Sequence, residues 1–254
     1  MDGTIYLGNT LIKGTLEFLK ELGKQGKRAI YITNNSSKAV TQYVEKLSLL
    51  GINSQPADFC TSAHALVYHL KKECPGASIY LLGTPALEQF IESEGFTLVK
   101  EYGMSPDYVV LGFDTTLTYE KLRIACDYIV DGVTFIATHP DLVCPVEGGR
   151  FIPDTGSMLV MIEAATGKSP SLIIGKPNPC MINMVIEQTG CKKGEIAVVG
   201  DRLNTDILSA KNAGVTSIAV LSGEVTLDKI ENSLFKPDYV FNSIYDIYSI
   251  IREV

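Results

Sequence analysis

The chain has 254 residues, enough to bury a large core in one or two domains. Its 46% hydrophobic and 20% charged content is that of an ordinary folded protein, and the net charge of −7 argues against a nucleic-acid partner, which calls for basic patches. No apolar run approaches the roughly 20 residues of a membrane helix, so no membrane partner is expected either.

Cys60, Cys74, Cys126, Cys144, Cys180 and Cys191 form no CxxC pair and no Cys/His cluster with zinc spacing. With no signal peptide in view, the expectation is a cytoplasmic protein with reduced thiols. Asn34 and Asn35 each begin a glycosylation-type triplet, which reads as coincidence in that setting.

The chain opens Met1-Asp2-Gly3-Thr4, a turn-like tetrapeptide with no strand before it. Leu16, Leu19 and Leu22 recur every three residues and predict a helix over 15–22, stopped by Gly23 or Gly26. Residues 28–33 predict a buried strand that ends in Thr33-Asn34-Asn35-Ser36-Ser37. Hydroxyls, amides and free N–H groups at a strand's carboxyl end can hold an oxyanion, although the same serines could simply cap the helix predicted from Lys38.

From about residue 60 to 170 a second α/β unit is expected. Strands are predicted at 78–82, 108–112 and 134–138, with helices at 85–94, 119–130 and 157–165. Thr138-His139-Pro140-Asp141 closes the third strand, and Pro145, Gly148, Gly149, Pro153 and Gly156 mark a loop-rich stretch. His64 and His69 fall on a predicted helix and read as packing or surface residues.

Residues 172–174 predict a strand of the core running into Gly175-Lys176-Pro177-Asn178-Pro179. Lys176 could bring a compact positive charge to a phosphate, or could be an ordinary surface lysine. Ile196 to Val199 is a short β-branched run, turned by Gly200 into Asp201 and, five residues on, Asp206. Two carboxylates where a parallel strand meets a helix suit a hard cation such as Mg²⁺, while a solvated acidic turn is the plain alternative. Further strands are expected at 216–221 and 238–241. The strand–helix alternation predicts an α/β fold with parallel sheets. Ala165-Thr166-Gly167-Lys168-Ser169 imitates the end of a Walker A loop, but Ile162 stands where glycine is required, and no GxGxxG occurs.

Taken in order, Met-Asp-Gly-Thr, Ile-Thr-Asn-Asn, Gly-Lys-Pro-Asn-Pro and Gly-Asp-(four residues)-Asp resemble the haloacid dehalogenase-like phosphatase superfamily. The likeness is to the branch with a large inserted cap, typified by NagD-type, 4-nitrophenylphosphatase-type and pyridoxal phosphatase-type proteins, and it covers essentially the whole chain. The resemblance implies a Rossmann-like parallel-sheet core (1–60 and 171–254) and an inserted α/β cap (61–170). It also implies a Mg²⁺-dependent phosphatase acting on small phosphomonoesters (a sugar phosphate, p-nitrophenyl phosphate or similar) through an aspartyl-phosphate.

In such enzymes the first motif is Asp-x-Asp-Gly-Thr. Asp2 matches the second Asp, the general acid and base, whose backbone carbonyl also ligates Mg²⁺, and Met1 matches the intervening residue. The nucleophilic Asp is therefore expected just upstream of Met1, with the first core strand missing from this sequence. A truncated reading or a fragment accounts for that more simply than a pseudoenzyme that only binds phosphorylated metabolites, because the other catalytic positions are intact. Thr33 and the Asn34 N–H match the phosphate-binding second motif, Lys176 matches the third-motif lysine, and Asp201 and Asp206 match the fourth-motif metal acids. His139 and Asp141 lie where the resemblance suggests cap contacts to substrate. Caps of this type often mediate dimers in related proteins, which leaves room for a homodimer through the cap.

Overall fold

The computed structural model describes residues 1–253, and the chain divides into two compact units. The first comprises Met1–Thr33, Val40–Cys60 and the chain from Lys176 onward; the second comprises Asn34–Ala39 and Thr61–Gly175.

The second unit is built on a five-stranded, wholly parallel sheet. Its strands run in the order Leu172–Ile173, Thr134–Ala137, Tyr108–Leu111, Ser78–Leu82, Thr97–Val99. Ile79, Tyr80, Leu81 and Leu82 are all buried, as are Val109, Val110 and Leu111, so the central strands are covered on both faces. That is why they read as continuous apolar runs rather than as alternation. The helix Pro85–Ser93 starts where the Thr84 hydroxyl accepts the Leu87 N–H (3.4 Å), and Tyr119–Val130 where Thr118 accepts from Lys121 (3.2 Å). Ile124, Ala125, Tyr128 and Ile129 of the latter pack with Met158, Leu159 and Ile162 of the helix Thr155–Thr166 in one apolar cluster.

Two departures from the sequence expectation concern the ends of this unit. Residues 172–173 were expected in the core, but they pair with the second unit's sheet, Leu172 against Ile136 and Ile173 against Ala137. Residues 34–39 also belong to it: Ser36 Oγ accepts the Phe113 N–H (2.9 Å) and lies 3.2 Å from the Thr138 hydroxyl, and the Thr84 hydroxyl donates to Ser37 O (3.0 Å). A further difference lies in the stretch expected as loop. It holds an antiparallel hairpin, Val143–Val146 against Arg150–Pro153, turned by Gly148 and Gly149 at positive φ. The two prolines are not strand-breaking here because each strand has only one partner.

In the first unit, Ala197–Gly200, Thr216–Val220 and Tyr239–Phe241 form a parallel sheet with Thr216–Val220 in the middle. A separate two-stranded sheet joins Tyr31–Thr33 to Phe59–Thr61, the last residue of which lies in the second unit. Near the start, Tyr6–Leu7 and Thr10–Leu11 form a small hairpin. Ile5, Phe18, Tyr31, Leu47, Phe59, Val220, Ile244 and Ile247 bury one core, and Ile182, Ala210, Ala213 and Val215 a second. Among the described residues no helix is long and apolar enough to cross a membrane.

Candidate active site

Asp201 follows the strand Ala197–Gly200 directly. Its Oδ1 accepts the Thr4 hydroxyl at 3.2 Å and its Oδ2 the Glu224 N–H at 3.1 Å, while its backbone carbonyl accepts the Val225 N–H at 2.9 Å. The carboxylate is thus held between the opening tetrapeptide and the segment after the strand Thr216–Val220. Side chains are kept out of the way: a Cβ at Gly3 or at Gly223 would fall 2.2 Å from Asp201 Oδ2. Burial pushes the Asp201 carboxyl above its usual range, and the nearby Asp206 adds to the rise.

Asp206 is brought back by a π-turn. Over Leu203–Ile207 the Asp206 and Ile207 N–H groups both donate to Arg202 O, at 3.0 and 3.2 Å. Such turns insert an extra residue and are common at functional sites. Gly200 allows the approach, since a Cβ there would meet Asp206 Cβ at 2.3 Å. Asp206 Oδ1 then accepts from Lys176 Nζ at 2.6 Å, both side chains being largely buried. Burial works to raise the Asp206 carboxyl, but the positive charges around it, Lys176 foremost and Arg202 among them, together hold the group below the ordinary carboxylate range.

The opening residues reach into the same cluster. The Met1 amine is enclosed, although its side chain is half-exposed; burial lowers its pKa, against the charges of Asp206, Asp201 and Asp2. The Asp2 side chain is exposed and its Oδ1 accepts the Gly8 N–H from the small hairpin at 3.3 Å. The first unit therefore brings Asp2, Lys176, Asp201 and Asp206 to one place, and Thr33 ends a strand of the same unit. Beside Asp201 lies a cleft of about 490 Å³ lined by Arg202, Thr205, Glu224 and Lys229, roomy enough for a small metabolite.

Oxygen donors fit a hard cation here. Two carboxylates lie close enough for Asp206 to raise Asp201, each Asp201 oxygen has one neutral donor and further lone pairs, and a glycine faces it on either side. Asp201 and Asp206 could hold a divalent ion, together with the Asp2 backbone carbonyl that the resemblance assigns to it.

The other three expected site residues meet in the second unit. Buried Asn34 donates from Nδ2 to Asp141 Oδ2 at 3.1 Å. His139 is fully buried rather than presented to solvent: Nδ1 lies 3.6 Å from Asp141 Oδ2, and Nε2 lies 3.5 Å from Asp154 Oδ1 and 3.0 Å from the Thr155 hydroxyl. The carboxylates face opposite nitrogens of the ring, which suits a clamped imidazole better than three ligands around one ion. Gly175 closes the cluster, since a Cβ there would come within 2.7 Å of both Asn34 Oδ1 and His139 Cβ.

Sequence reasoning missed Thr4, the Ser222–Val225 segment, Asp154 and Thr155. Thr4 sits in the opening motif and so carried a signal, whereas Ser222-Gly223 had only its place after a predicted strand. Asp154 and Thr155 lay in the stretch taken for loop.

Residues 1–97 match the family described as Haloacid dehalogenase-like hydrolase, and residues 173–247 the one described as HAD-hydrolase-like. The chain is 38% identical over 244 residues to the acid sugar phosphatase of Staphylococcus aureus, covering 96% of this chain and 93% of that one. The crystal structure of 4-nitrophenylphosphatase from Thermotoga maritima superposes with a TM-score of 0.93 at 44% identity, covering 99% of this chain and 95% of that one. Glycerol phosphate phosphatase from Mycobacterium tuberculosis, solved in complex with magnesium, gives a TM-score of 0.87 at 30% identity, over 96% of this chain and 73% of that one.

Proposed function

Because the chain belongs to the haloacid dehalogenase-like hydrolases, in their NagD and 4-nitrophenylphosphatase branch, we propose that it is a Mg²⁺-dependent phosphatase of small phosphomonoesters. The observation that carries this reading is the cluster of Asp201, Asp206 and Lys176 beyond the strand Ala197–Gly200, with Thr4 of the opening tetrapeptide on Asp201. On this reading the nucleophile is the first Asp of the family's Asp-x-Asp-Gly-Thr motif, expected just upstream of Met1.

The chemistry follows from the residues. The upstream carboxylate attacks phosphorus, an Asp O–P bond forms and the ester P–O bond breaks, and Asp2 gives its proton to the leaving alcohol. Asp2 then takes a proton from water, whose oxygen attacks the aspartyl-phosphate and releases inorganic phosphate. Thr33 and the Asn34 N–H bind phosphoryl oxygens, and Lys176 offsets their charge. The ion supplies charge neutralisation on the phosphoryl oxygens. The second unit serves as the cap, Asp141 being its substrate contact on this reading and His139 acting from within to hold Asp141.

The test is hydrolysis of p-nitrophenyl phosphate and of sugar phosphates by the chain extended upstream with a strand ending in Asp before Met1, beside the same extension ending in Asn. Mg²⁺-dependent turnover with Asp, lower by several orders of magnitude with Asn and with Asp201→Ala, is expected. Equal turnover with Asp and Asn would place the nucleophile elsewhere; no turnover with either would leave a binder of phosphorylated metabolites.

A further inference from the structure

Ser222 lies just beyond the strand Thr216–Val220, outside every motif read from the sequence. Its hydroxyl donates to Gly3 O at 2.7 Å, across 219 positions of chain. Gly3 is thereby clamped twice, since its N–H donates to Tyr6 O at 2.8 Å. Gly3 has φ +76, and glycine alone has little preference between that region and its mirror, so two hydrogen bonds on flanking peptides are what select one conformation.

The clamp matters for the atom one bond upstream. The Asp2 carbonyl and the Gly3 N–H belong to one planar trans peptide, so directing the N–H at Tyr6 O directs the Asp2 carbonyl the opposite way. Ser222 fixes the next peptide and so sets the Gly3 dihedrals on which that plane turns. The same short segment also holds Asp201. Gly223 leaves room for its Oδ2, the Glu224 N–H donates to Oδ2 at 3.1 Å, and the Val225 N–H donates to its carbonyl at 2.9 Å. One run of four residues therefore governs two of the three groups named for the cation, the Asp2 carbonyl and the Asp201 carboxylate.

We infer that Ser222 is a positioning residue of the divalent-cation site, setting the direction of the Asp2 backbone carbonyl relative to the Asp201 carboxylate. This rests on the cation reading of the proposed function. Outer partners that orient a ligand cost about 10–100-fold in metal affinity when removed, although they never touch the metal.

The experiment needs no turnover. Mn²⁺ is titrated by electron paramagnetic resonance into the unaltered chain and into Ser222→Ala, Ser222→Cys and Asp201→Asn, and each is also melted without cation. Ser222→Cys keeps the side-chain volume and weakens the donor, so it reports the same loss if the alanine variant is poorly folded. The expected result is Mn²⁺ affinity lower by about tenfold or more in the Ser222 variants, with cation-free melting close to that of the unaltered chain. Unchanged affinity overturns the inference, as does a loss of affinity that only tracks a collapse in cation-free melting of both variants. Asp201→Asn binding Mn²⁺ as tightly as the unaltered chain would sink the cation reading itself, which separates the two failures.

Discussion

Lys176 Nζ and Asp206 Oδ1 stand 2.6 Å apart, joined across thirty positions of sequence, and both side chains are almost enclosed. Burial works to raise the Asp206 carboxyl, and the lysine is the foremost of the charges that together hold it below its ordinary range. Lys176→Ala would strand a buried carboxylate, and removing one partner of such a pair costs about 3 kcal/mol or more. The variant is expected to lose that much in urea unfolding. Lys176→Met, which keeps the stem but not the charge, should lose nearly as much, whereas a Lys176→Met melt equal to that of the unaltered chain would show that the pair contributes nothing.

Gly223 gives a second, steric handle on the same site. A methyl group there would sit 2.2 Å from Asp201 Oδ2, with Asp201 Cβ at 2.6 Å, so side chain and segment must part. Overpacking of this kind costs about 1–3 kcal/mol. With the upstream Asp in place, Gly223→Ala should lower the melting temperature and also weaken Mg²⁺ activation by about tenfold or more, because it moves the carboxylate and not only the turn. Gly194 has open space around its Cβ position, so Gly194→Ala should leave Mg²⁺ activation unchanged.

Most of the first-unit site was legible because its residues sit at strand ends. Gly200-Asp201 announces itself by an apolar run, a glycine and an acid, and Thr33 and Lys176 stand at similar junctions. What periodicity could not reveal was the partner of each strand. Leu172 and Ile173 read as any short buried strand would, and only their hydrogen bonds to Ile136 and Ala137 assign them to the second sheet. The hairpin Val143–Val146/Arg150–Pro153 was hidden because Pro145 and Pro153 argue for loop when the edge position of the strands is unknown. The resemblance suggests a cap contact to substrate at His139, yet its ring is fully buried beside Asp154 and Thr155, fifteen or more residues further on. Ser222 illustrates the same limit: a lone serine after a strand carries no sign that its hydroxyl reaches Gly3.

Asp154 introduces a pH dependence in the second unit. Burial pushes its carboxyl up to about 6, with Asp141 adding to the rise and the Thr155 N–H opposing it; His139 Nε2 also faces it, at 3.5 Å. A carboxyl whose pKa is raised on folding is protonated in the native state while already ionised in the unfolded one. Stability from this group is therefore present below about pH 4 and lost as pH rises from about 4 to about 6. Asp154→Asn keeps an acceptor at the start of the helix Thr155–Thr166 but cannot titrate. Relative to it, the unaltered chain should lose melting temperature across that window. Parallel curves for the two proteins between pH 4 and 6 would assign the titration elsewhere.

Asn34 and Asp141 allow substrate selection to be tested apart from phosphate binding. Asn34 Nδ2 donates to Asp141 Oδ2 at 3.1 Å, and Asn34 itself is buried, its backbone carbonyl accepting from the Ser62 hydroxyl. Asn34→Ala removes the side-chain donor but keeps the backbone N–H assigned to phosphate. With the upstream Asp in place, the Asp141 carboxylate would lose its amide donor and keep only His139 beside it, while the phosphate cradle would keep its donors. Loss of a hydrogen bond to a charged group is worth about 1.5–3 kcal/mol, or roughly 10–100-fold. The expected outcome is a fall of that size in kcat/KM for hydroxyl-rich sugar phosphates, with little change for p-nitrophenyl phosphate, which offers Asp141 no hydroxyl. Asn34→Asp should be worse, since it sets two carboxylates against each other where one amide stood. An equal fall for both substrates would show that Asn34 acts on the phosphate, and no fall for either would remove Asp141 from the substrate's surroundings.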